Sequence, residues 1–270
     1  MISVVIFHFE ESLLPGGFVG VDIFFVISGY LMTGIITSRL ELQNFSLLDF
    51  YIARINRIFP ALIAMLMVLL LLAFVFFNPL DLKSLSWKVV SSALFLSNIA
   101  FTFLGGGYFA ESAQANWLLH TWSLSAEWQF YLLYPFIIIL AKRLFGLRAI
   151  VFCISFIFII SLSASVLLSK DYTSASYFNL HTRAWQMLAG GLILYLPQIE
   201  SNTVKKTLWL TGVGLIGASS LFFDERTIWP GMAALAPVLG AVLFIYSNMQ
   251  DSKVIGYKIV QSIGTWSYSI

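Results

Sequence analysis

The stretch "IFPALIAMLMVLLLLAFVFF", residues 58–77, contains no charged side chain. A helix that crosses a lipid bilayer needs about 20 such residues, so this stretch predicts a transmembrane helix. Two arginines, Arg54 and Arg57, stand one helical turn apart just before it. They either hold the cytoplasmic end of the span or bind a negatively charged ligand, and their spacing alone leaves both interpretations open.

The whole chain has the composition of a polytopic membrane protein. Of its 270 residues, 59% are hydrophobic and 10% are charged, whereas soluble domains carry about 25% charged residues. The net charge of +2 and the lack of a basic patch with interleaved aromatic residues argue against a nucleic-acid partner. A single cysteine, Cys153, and three dispersed histidines indicate neither an intrachain disulfide nor a metal site.

Further apolar stretches predict an all-α transmembrane helical bundle, with about ten spans in the complete protein. The predicted spans are 19–38, 58–77, 119–141, 149–169, 183–197, 207–223 and 231–248. Residues 1–11 resemble the end of a first span and residues 262–270 the beginning of a last one. We therefore expect a single membrane domain over 1–270 that is incomplete at both ends.

Lysine and arginine cluster in the segments 39–57, 142–148 and 205–206, which the positive-inside rule assigns to the cytoplasmic side. If 39–57 and 142–148 lie on the same side, the chain must cross the membrane an even number of times between them. Three apolar stretches intervene, however: 58–77, 89–104 and 119–141. We expect the most polar of these, 89–104, to be re-entrant or interfacial. Because such backbone is tolerated at membrane depth only beside protein or a water-filled cavity, a cavity is predicted.

Ionisable residues in or beside spans are costly and are therefore functional candidates. His8 follows an apolar stretch, where its imidazole could act as a general base or only hydrogen-bond to the backbone. Asp22 lies just inside the next span and could orient His8 or cap the helix.

A second polar group lies in "LHTWSLSAEW", residues 119–128. His120 and Glu127 are seven residues apart and are expected on one helix face, with Ser123 between them. They form either an interfacial hydrogen-bond cluster or a lining that receives a substrate. Arg183 opens the next outward-facing segment, either as an anchor or as part of such a lining.

Several stretches resemble motifs of the acyltransferase-3 family of integral-membrane O-acyltransferases. They are "FHFEESLLPGGFVGVDIFFVISGYLM" (7–32), the R-x-x-R of "YIARINRIFPAL" (51–62), "LLHTWSLSAEWQFYLLYP" (118–135) and, less closely, "TRAWQMLAGGLI" (182–193) and "IGTWSYSI" (263–270). The resemblance runs in order along essentially the whole chain.

This resemblance implies an enzyme of the bacterial inner membrane that moves an acyl group, often acetyl, from a cytoplasmic acyl-CoA such as acetyl-CoA to a glycan. The acceptor would be a surface polysaccharide such as lipopolysaccharide, peptidoglycan or a lipid-linked saccharide. No bound cofactor is implied. The resemblance makes His8 the catalytic candidate and Glu127 the acid of the W-S-L-S motif, and we add Asp22 to the catalytic set. Arg54 and Arg57 become the donor-binding pair.

Other residues complete the predicted site. We assign acceptor binding to His120, Trp122, Ser123 and Arg183. The rings of Trp117, Trp122 and Tyr108 could stack on a sugar, although interfacial anchoring explains them equally well.

The chain departs from the family pattern at three places. It begins after the position where an arginine is usual, Trp128 follows Glu127 where many members carry a second glutamate, and Gln186 occupies a position where an acid is common.

Two questions of mechanism and class stay open at this level. His8 could deprotonate an acceptor hydroxyl that attacks the thioester directly, or it could carry the acyl group transiently as a nucleophile. A transporter or flippase of an activated sugar or lipid would also need a polar cavity and arginines, but it should show paired broken helices. A non-catalytic membrane scaffold would need no histidine like His8.

Overall fold

The computed structural model describes residues 2–103, 107–110 and 116–249. All regular structure in these ranges is helical, which confirms the predicted all-α class. The α-helices, numbered in chain order, are α1 (Ile2–Phe9), α2 (Gly20–Glu41), α3 (Leu47–Phe76), α4 (Pro79–Ala93), α5 (Ser97–Thr102), α6 (Thr121–Phe145), α7 (Leu147–Leu168), α8 (Thr173–Phe178), α9 (Leu180–Leu192), α10 (Asn202–Phe222) and α11 (Leu235–Tyr246). Short 3-10 turns cover Glu11–Leu13, Gly17–Val19 and Ile193–Tyr195.

Within the described ranges, four helical stretches are long and apolar enough to cross a membrane. They are α2 with its preceding turn, α3, α6 and α7. These helices correspond to the first four predicted spans. The other three predicted spans fall on α9, α10 and α11, which do not combine the same length and hydropathy. The predicted last span, 262–270, lies outside the described residues.

Helix α3 begins eleven residues before the predicted span, at Leu47 rather than at residue 58. Ser46 caps it, because the Ser46 hydroxyl accepts a hydrogen bond from the Asp49 N–H at 3.2 Å. Arg54 and Arg57 therefore lie inside the helix, in its second and third turns. Their side chains project from a defined helix face instead of from a loop.

The centre of the bundle is the contact between α2 and α9. Gly29 of α2 faces the Met187 carbonyl, and Gly190 of α9 faces the Val26 carbonyl; a methyl group on either glycine would overlap that oxygen. Small residues at such a crossing let two helix backbones pack closely where lipid supplies no hydrophobic driving force. Nearly every residue of α9 is buried as a result.

In residues 89–103, the described part of the segment 89–104 that is predicted to be re-entrant or interfacial, the helix is interrupted. The segment begins within α4, and the chain breaks at residues 94–96 before α5 begins. Helix α6 satisfies polar groups at this break: the Gln129 amide nitrogen donates to the Phe95 carbonyl at 3.0 Å, and the Ser97 and Ser125 hydroxyls lie 2.7 Å apart. Protein thus covers the irregular backbone, as such backbone requires at membrane depth.

The bundle has two distinct ends. At the basic end, the Lys142 ammonium group donates to the Leu40 carbonyl at 2.5 Å, so the last turns of α6 and α2 meet. The basic segments 39–57 and 142–148 therefore lie at the same end, as the parity of crossings requires. The opposite end, here called the cavity end, contains α1, the beginning of α2 and the beginning of α6.

Candidate active site

A cavity of about 340 Å³ lies at the cavity end. Its walls come from segments far apart in sequence, namely α1, the loop before α6 and the loop after α10. The polar side chains that line it are His8, Glu11, Tyr108, Asn116, His120 and Glu225. Two of the three histidines in the chain therefore share one cavity. No described residue of 89–104 lines it, so it is not the cavity that the sequence predicts beside that segment.

His8 is held by Tyr108. The His8 Nε2 atom and the Tyr108 hydroxyl lie 3.1 Å apart and form a hydrogen bond. The helix that carries His8 is anchored by the neighbouring Phe7, whose ring packs edge-on against Phe18 at 5.5 Å. The imidazole therefore has a defined position at the cavity wall, although α1 contains only eight residues.

The face of Tyr108 is occupied by protein. Its ring stacks on Tyr177 with 4.3 Å between ring centroids, and only 5% of Tyr108 is exposed. The Arg183 guanidinium lies over Tyr177 at 4.6 Å and over Trp122 at 5.3 Å. Tyr108 and Trp122 thus belong to a buried aromatic cluster, whereas Trp117 remains 56% exposed beside the cavity.

Asp22 pairs with Arg183 instead of His8. The Arg183 Nη1 atom donates to Asp22 Oδ1 at 2.8 Å, and both side chains are about 1% exposed. Gln186 and Trp229 also donate to the Asp22 carboxylate. A buried carboxylate requires such a cation and donors, because an isolated charge in the interior is very costly.

Arg183 therefore lies behind the cavity wall, where its Nε atom also donates to the Tyr177 carbonyl at 2.8 Å. The Asp22–Arg183 pair is connected to His8 only through aromatic rings. Arg183 packs on Tyr177, and Tyr177 stacks on Tyr108. Tyr108 in turn is hydrogen-bonded to His8.

Glu127 faces α2 and the arginines, and is separate from His120. Ser28 donates to its carboxylate at 2.6 Å, and Tyr131 donates to the same oxygen. The positive charges of Arg57 and Arg54 act on this carboxylate. The expected shared face does not give a shared hydrogen-bond cluster, because His120 lines the cavity and Glu127 bonds to Ser28 and Tyr131.

Arg54 retains an unused donor. Its Nη1 atom contacts the Met32 sulfur at 3.8 Å, and its guanidinium lies 5.9 Å from the Phe50 ring centroid. The Arg54 Nε atom is buried and has no hydrogen-bond partner among the described residues. A buried N–H without a partner is unfavourable, and an anion would satisfy it.

The His120 region and the arginines are connected along α3 and α6. The His120 Nε2 atom lies 3.3 Å from the Met65 sulfur. Seven residues of α6 separate His120 from Glu127 and eight residues of α3 separate Met65 from Arg57, which correspond to rises of about 10 and 12 Å. Ser123, whose hydroxyl donates to the His120 carbonyl at 3.1 Å, lies one turn along this path.

The charge state of His120 follows from its surroundings. Burial, with a smaller contribution from His8, lowers the pKa of the His120 imidazole. Because an ordinary histidine titrates near pH 6.5, His120 is neutral at pH 7. In the ranges that the structure describes, no group of three His, Cys, Asp or Glu side chains could hold a metal ion.

Sequence reasoning missed the role of Tyr108. It could predict an aromatic residue beside the cavity, but not that the hydroxyl of Tyr108 would reach a histidine 100 residues earlier in the chain. The Asp22–Arg183 pair, 161 residues apart, was equally unpredictable. The signal for the capped beginning of α3 was present, since Ser46 precedes Asp49 by three residues.

Known proteins resemble this chain over its full length. The family model for the acyltransferase domain of the acyltransferase-3 family matches residues 1–270. An uncharacterized protein of Haemophilus influenzae is 33% identical over 244 residues, which cover 86% of this chain and 99% of that protein. The peptidoglycan O-acetyltransferase OatA of Listeria monocytogenes is 30% identical and the O-acetyltransferase OatA of Staphylococcus aureus is 28% identical, each over 288 residues.

The two OatA matches cover 100% of this chain but 46% and 47% of the relatives, so the chain spans about half their length. No solved structure matches the chain. The family model covers every predicted site residue, and the apolar helices fit a multi-pass membrane protein. This chain belongs to the acyltransferase-3 family of membrane acyltransferases.

Proposed function

We propose that residues 1–270 form the membrane domain of a bacterial O-acyltransferase, which transfers an acetyl group from cytoplasmic acetyl-CoA to a hydroxyl group of a cell-envelope glycan. The family supports acyl transfer, the names of the two OatA relatives support an acetyl group, and the name of the Listeria monocytogenes relative supports a glycan acceptor. The apolar helices and the basic end support a location in the inner membrane, with the basic end in the cytoplasm.

The donor would bind at Arg54 and Arg57. Arg54 and Arg57 lie one turn apart on α3, and their planar guanidinium forks suit phosphate oxygens. The unsatisfied Nε atom of Arg54 supports this role, since a CoA phosphate would provide its missing acceptor. Glu127 would hold the two arginines in place, because its carboxylate lies within the reach of their charges.

His8 would act as the general base. Its imidazole takes the proton from an acceptor hydroxyl, whose oxygen then attacks the thioester carbonyl carbon. Tyr108 would fix the ring orientation through its hydrogen bond. Asp22 and Arg183 would be positioning residues, because they support the Tyr177–Tyr108 stack and do not reach the cavity themselves.

The acceptor would approach from the cavity end. Trp117 offers an exposed indole face, and His120 and Ser123 provide polar groups between the cavity and the donor path. Trp122 would act by packing, since only 1% of it is exposed. The alternative in which His8 carries the acyl group predicts a labelled protein when donor is supplied without acceptor.

One observation carries this proposal: a cavity with His8 and His120 lies along the same two helices as the arginine cluster, at a helical rise of about 10–12 Å. The pantetheine arm of CoA, when extended, is longer than this separation. A donor held by its phosphates at the arginines could therefore extend its thioester towards the His120 side of the cavity.

The test uses the full-length protein in proteoliposomes with radiolabelled acetyl-CoA. Peptidoglycan fragments, lipopolysaccharide and lipid-linked saccharides are supplied in separate reactions. We expect label in one glycan, and none with His8→Ala. Absence of transfer to every glycan, together with transport of an unlabelled saccharide across the membrane, would overturn the proposal in favour of a transporter.

A further inference from the structure

Asn116 lies in the wall of the cavity that contains His8 and His120. It precedes His120 by four residues, in the loop that leads into α6. Only 5% of Asn116 is exposed, so its side-chain amide must be satisfied by protein or by a ligand.

The two ends of the Asn116 amide differ. The Oδ1 atom accepts a hydrogen bond from the Leu118 N–H at 3.2 Å, which fixes the orientation of the amide. The Nδ2 atom is buried and has no hydrogen-bond partner within the described ranges. A buried donor without a partner costs about 1–3 kcal/mol, so the fold keeps this group at the cavity wall at a measurable cost to its stability.

The other polar groups of the cavity are poor candidates for a hydrogen-bond donor to a developing negative charge. The Tyr108 hydroxyl is engaged with His8, and the His120 Nε2 atom faces the Met65 sulfur. Glu11 and Glu225 line the cavity as carboxylates, which accept hydrogen bonds when ionised. The indole N–H of Trp117 is also a donor, but Trp117 is 56% exposed; the Asn116 amide nitrogen is the buried donor without a partner in the described lining.

We propose that the Asn116 Nδ2–H group donates a hydrogen bond to the oxyanion that forms on the acyl carbonyl oxygen. The inference rests on the proposed acyl transfer and adds a catalytic residue to it. An amide donor aimed at the position of developing charge stabilises the transition state more than the ground state.

The reaction balances as follows. The acceptor oxygen forms a bond to the carbonyl carbon while its proton passes to His8, and the carbonyl electron pair moves to the oxygen that Asn116 contacts. The oxyanion then restores the carbonyl, the carbon–sulfur bond breaks, and its electron pair leaves on sulfur. His8 returns the proton to that thiolate, so the products are the O-acyl glycan and free CoA thiol.

The decisive variant is Asn116→Asp in the full-length protein. Aspartate keeps the oxygen that accepts from the Leu118 N–H but replaces the amide donor by a carboxylate oxygen. We expect kcat to fall by about 100- to 1,000-fold, as on removal of an oxyanion donor, while the donor KM and the CoA affinity stay within about twofold. A merely structural Asn116 would tolerate Asn116→Ser, because a hydroxyl can retain the loop hydrogen bond without burying a charge.

Asn78→Asp is the matched control. The Asn78 side-chain oxygen also accepts from backbone N–H groups, those of Leu80 and Asp81, at 3.0 and 2.9 Å. It caps α4 and does not line the cavity, so we expect kcat to stay within about twofold of wild type. If Asn116→Asp does not accumulate in the membrane, Asn116→Ser replaces it, since a serine hydroxyl can accept in the same type of turn.

An Asn116→Asp or Asn116→Ser enzyme with wild-type kcat would overturn the inference. So would a variant whose defect is confined to a raised acceptor KM, because that result assigns Asn116 to ground-state binding of the glycan. Failure of the proposed function is recognised separately, since the wild-type protein would then transfer no label to any glycan.

Discussion

The Nε2 atom of His8 and the hydroxyl of Tyr108 lie 3.1 Å apart, although the two residues are 100 positions apart in the chain. This hydrogen bond gives a histidine on a short helix one defined orientation. Tyr108 is itself held by its stack on Tyr177, and Tyr177 by the guanidinium of Arg183. The geometry of the reactive imidazole therefore depends on a chain of contacts that reaches the buried Asp22–Arg183 pair.

Removing only the hydroxyl of Tyr108 tests the first link. Tyr108→Phe keeps the stack on Tyr177 and loses the hydrogen bond, whose net worth is about 1 kcal/mol. We expect kcat for acyl transfer to fall about five- to tenfold, with unchanged donor affinity and amount of folded protein. Tyr246→Phe is the control, because that hydroxyl donates to the Pro197 carbonyl at 2.6 Å and does not line the cavity. Equal rates for the two variants would show that Tyr108 does not orient His8.

The buried ion pair should be important for stability. Asp22→Asn retains the shape of the side chain but leaves the Arg183 charge without its carboxylate, which typically costs about 3–5 kcal/mol at a buried site. We expect a clearly lower midpoint for unfolding of the detergent-solubilised protein. Arg183→Gln in the same chain should recover part of this loss, since the uncompensated charge is then removed. Asp22→Asn with wild-type stability would contradict the pair's structural role.

The close approach of α2 and α9 makes Gly190 intolerant of a side chain. Gly190→Ala places a methyl group on the Val26 carbonyl, so the two helices must separate. We expect most of the variant to be misfolded or aggregated, as measured by size-exclusion chromatography in detergent. Gly217→Ala is the matched control, because no atom lies within 4 Å of the new methyl group on α10. There alanine should be neutral or stabilise the helix by about 0.5–1 kcal/mol. Comparable profiles for the two variants would contradict the packing argument.

The fold was more predictable than the site. Apolar length located the four helices that are long and apolar enough to cross a membrane, whereas the non-spanning role of 89–104 stays a prediction. Long-range pairings were inaccessible, because nothing local to Asp22 distinguishes Arg183 from His8 as its partner. The helical-face argument did not predict that His120 and Glu127 have different surroundings: His120 lines the cavity, whereas Glu127 accepts hydrogen bonds from Ser28 and Tyr131. Glu127 is buried, and its partners are the Ser28 hydroxyl and the charges of Arg57 and Arg54, which are distant from it in sequence.

The pH dependence should identify which histidine is the base. A general base must be neutral, so kcat/KM should fall about tenfold per pH unit below the pKa of His8, which burial lowers from the ordinary histidine value near 6.5. Burial lowers the pKa of His120 as well, so the base is assigned by the His120→Gln variant, in which the inflection should remain, and not by the pH of the inflection. The measurement is kcat/KM between about pH 5 and 8 for wild type and His120→Gln. Loss of the inflection in His120→Gln would transfer the base role to His120.

The last prediction separates a phosphate clamp from a topology signal at Arg54 and Arg57. If the arginines only retain their end of α3 in the cytoplasm, lysine should serve nearly as well, because the positive-inside rule counts both cations. If they bind the donor, lysine lacks the planar fork, and Arg57→Lys should weaken acetyl-CoA binding by roughly 1–2 kcal/mol, or about 5- to 30-fold.

Arg39→Lys is the matched control for that variant, since Arg39 lies in the same basic segment but in the last turn of α2. We expect it to bind the donor normally. His8→Ala should show the opposite pattern, with near-normal donor binding and a loss of about 100-fold or more in turnover. Donor affinity and turnover are measured for all three variants, with orientation in the membrane checked by cysteine labelling from each side. A correctly inserted Arg57→Lys with wild-type affinity would leave the arginines with a role in topology alone, because the only property that lysine lacks is the fork.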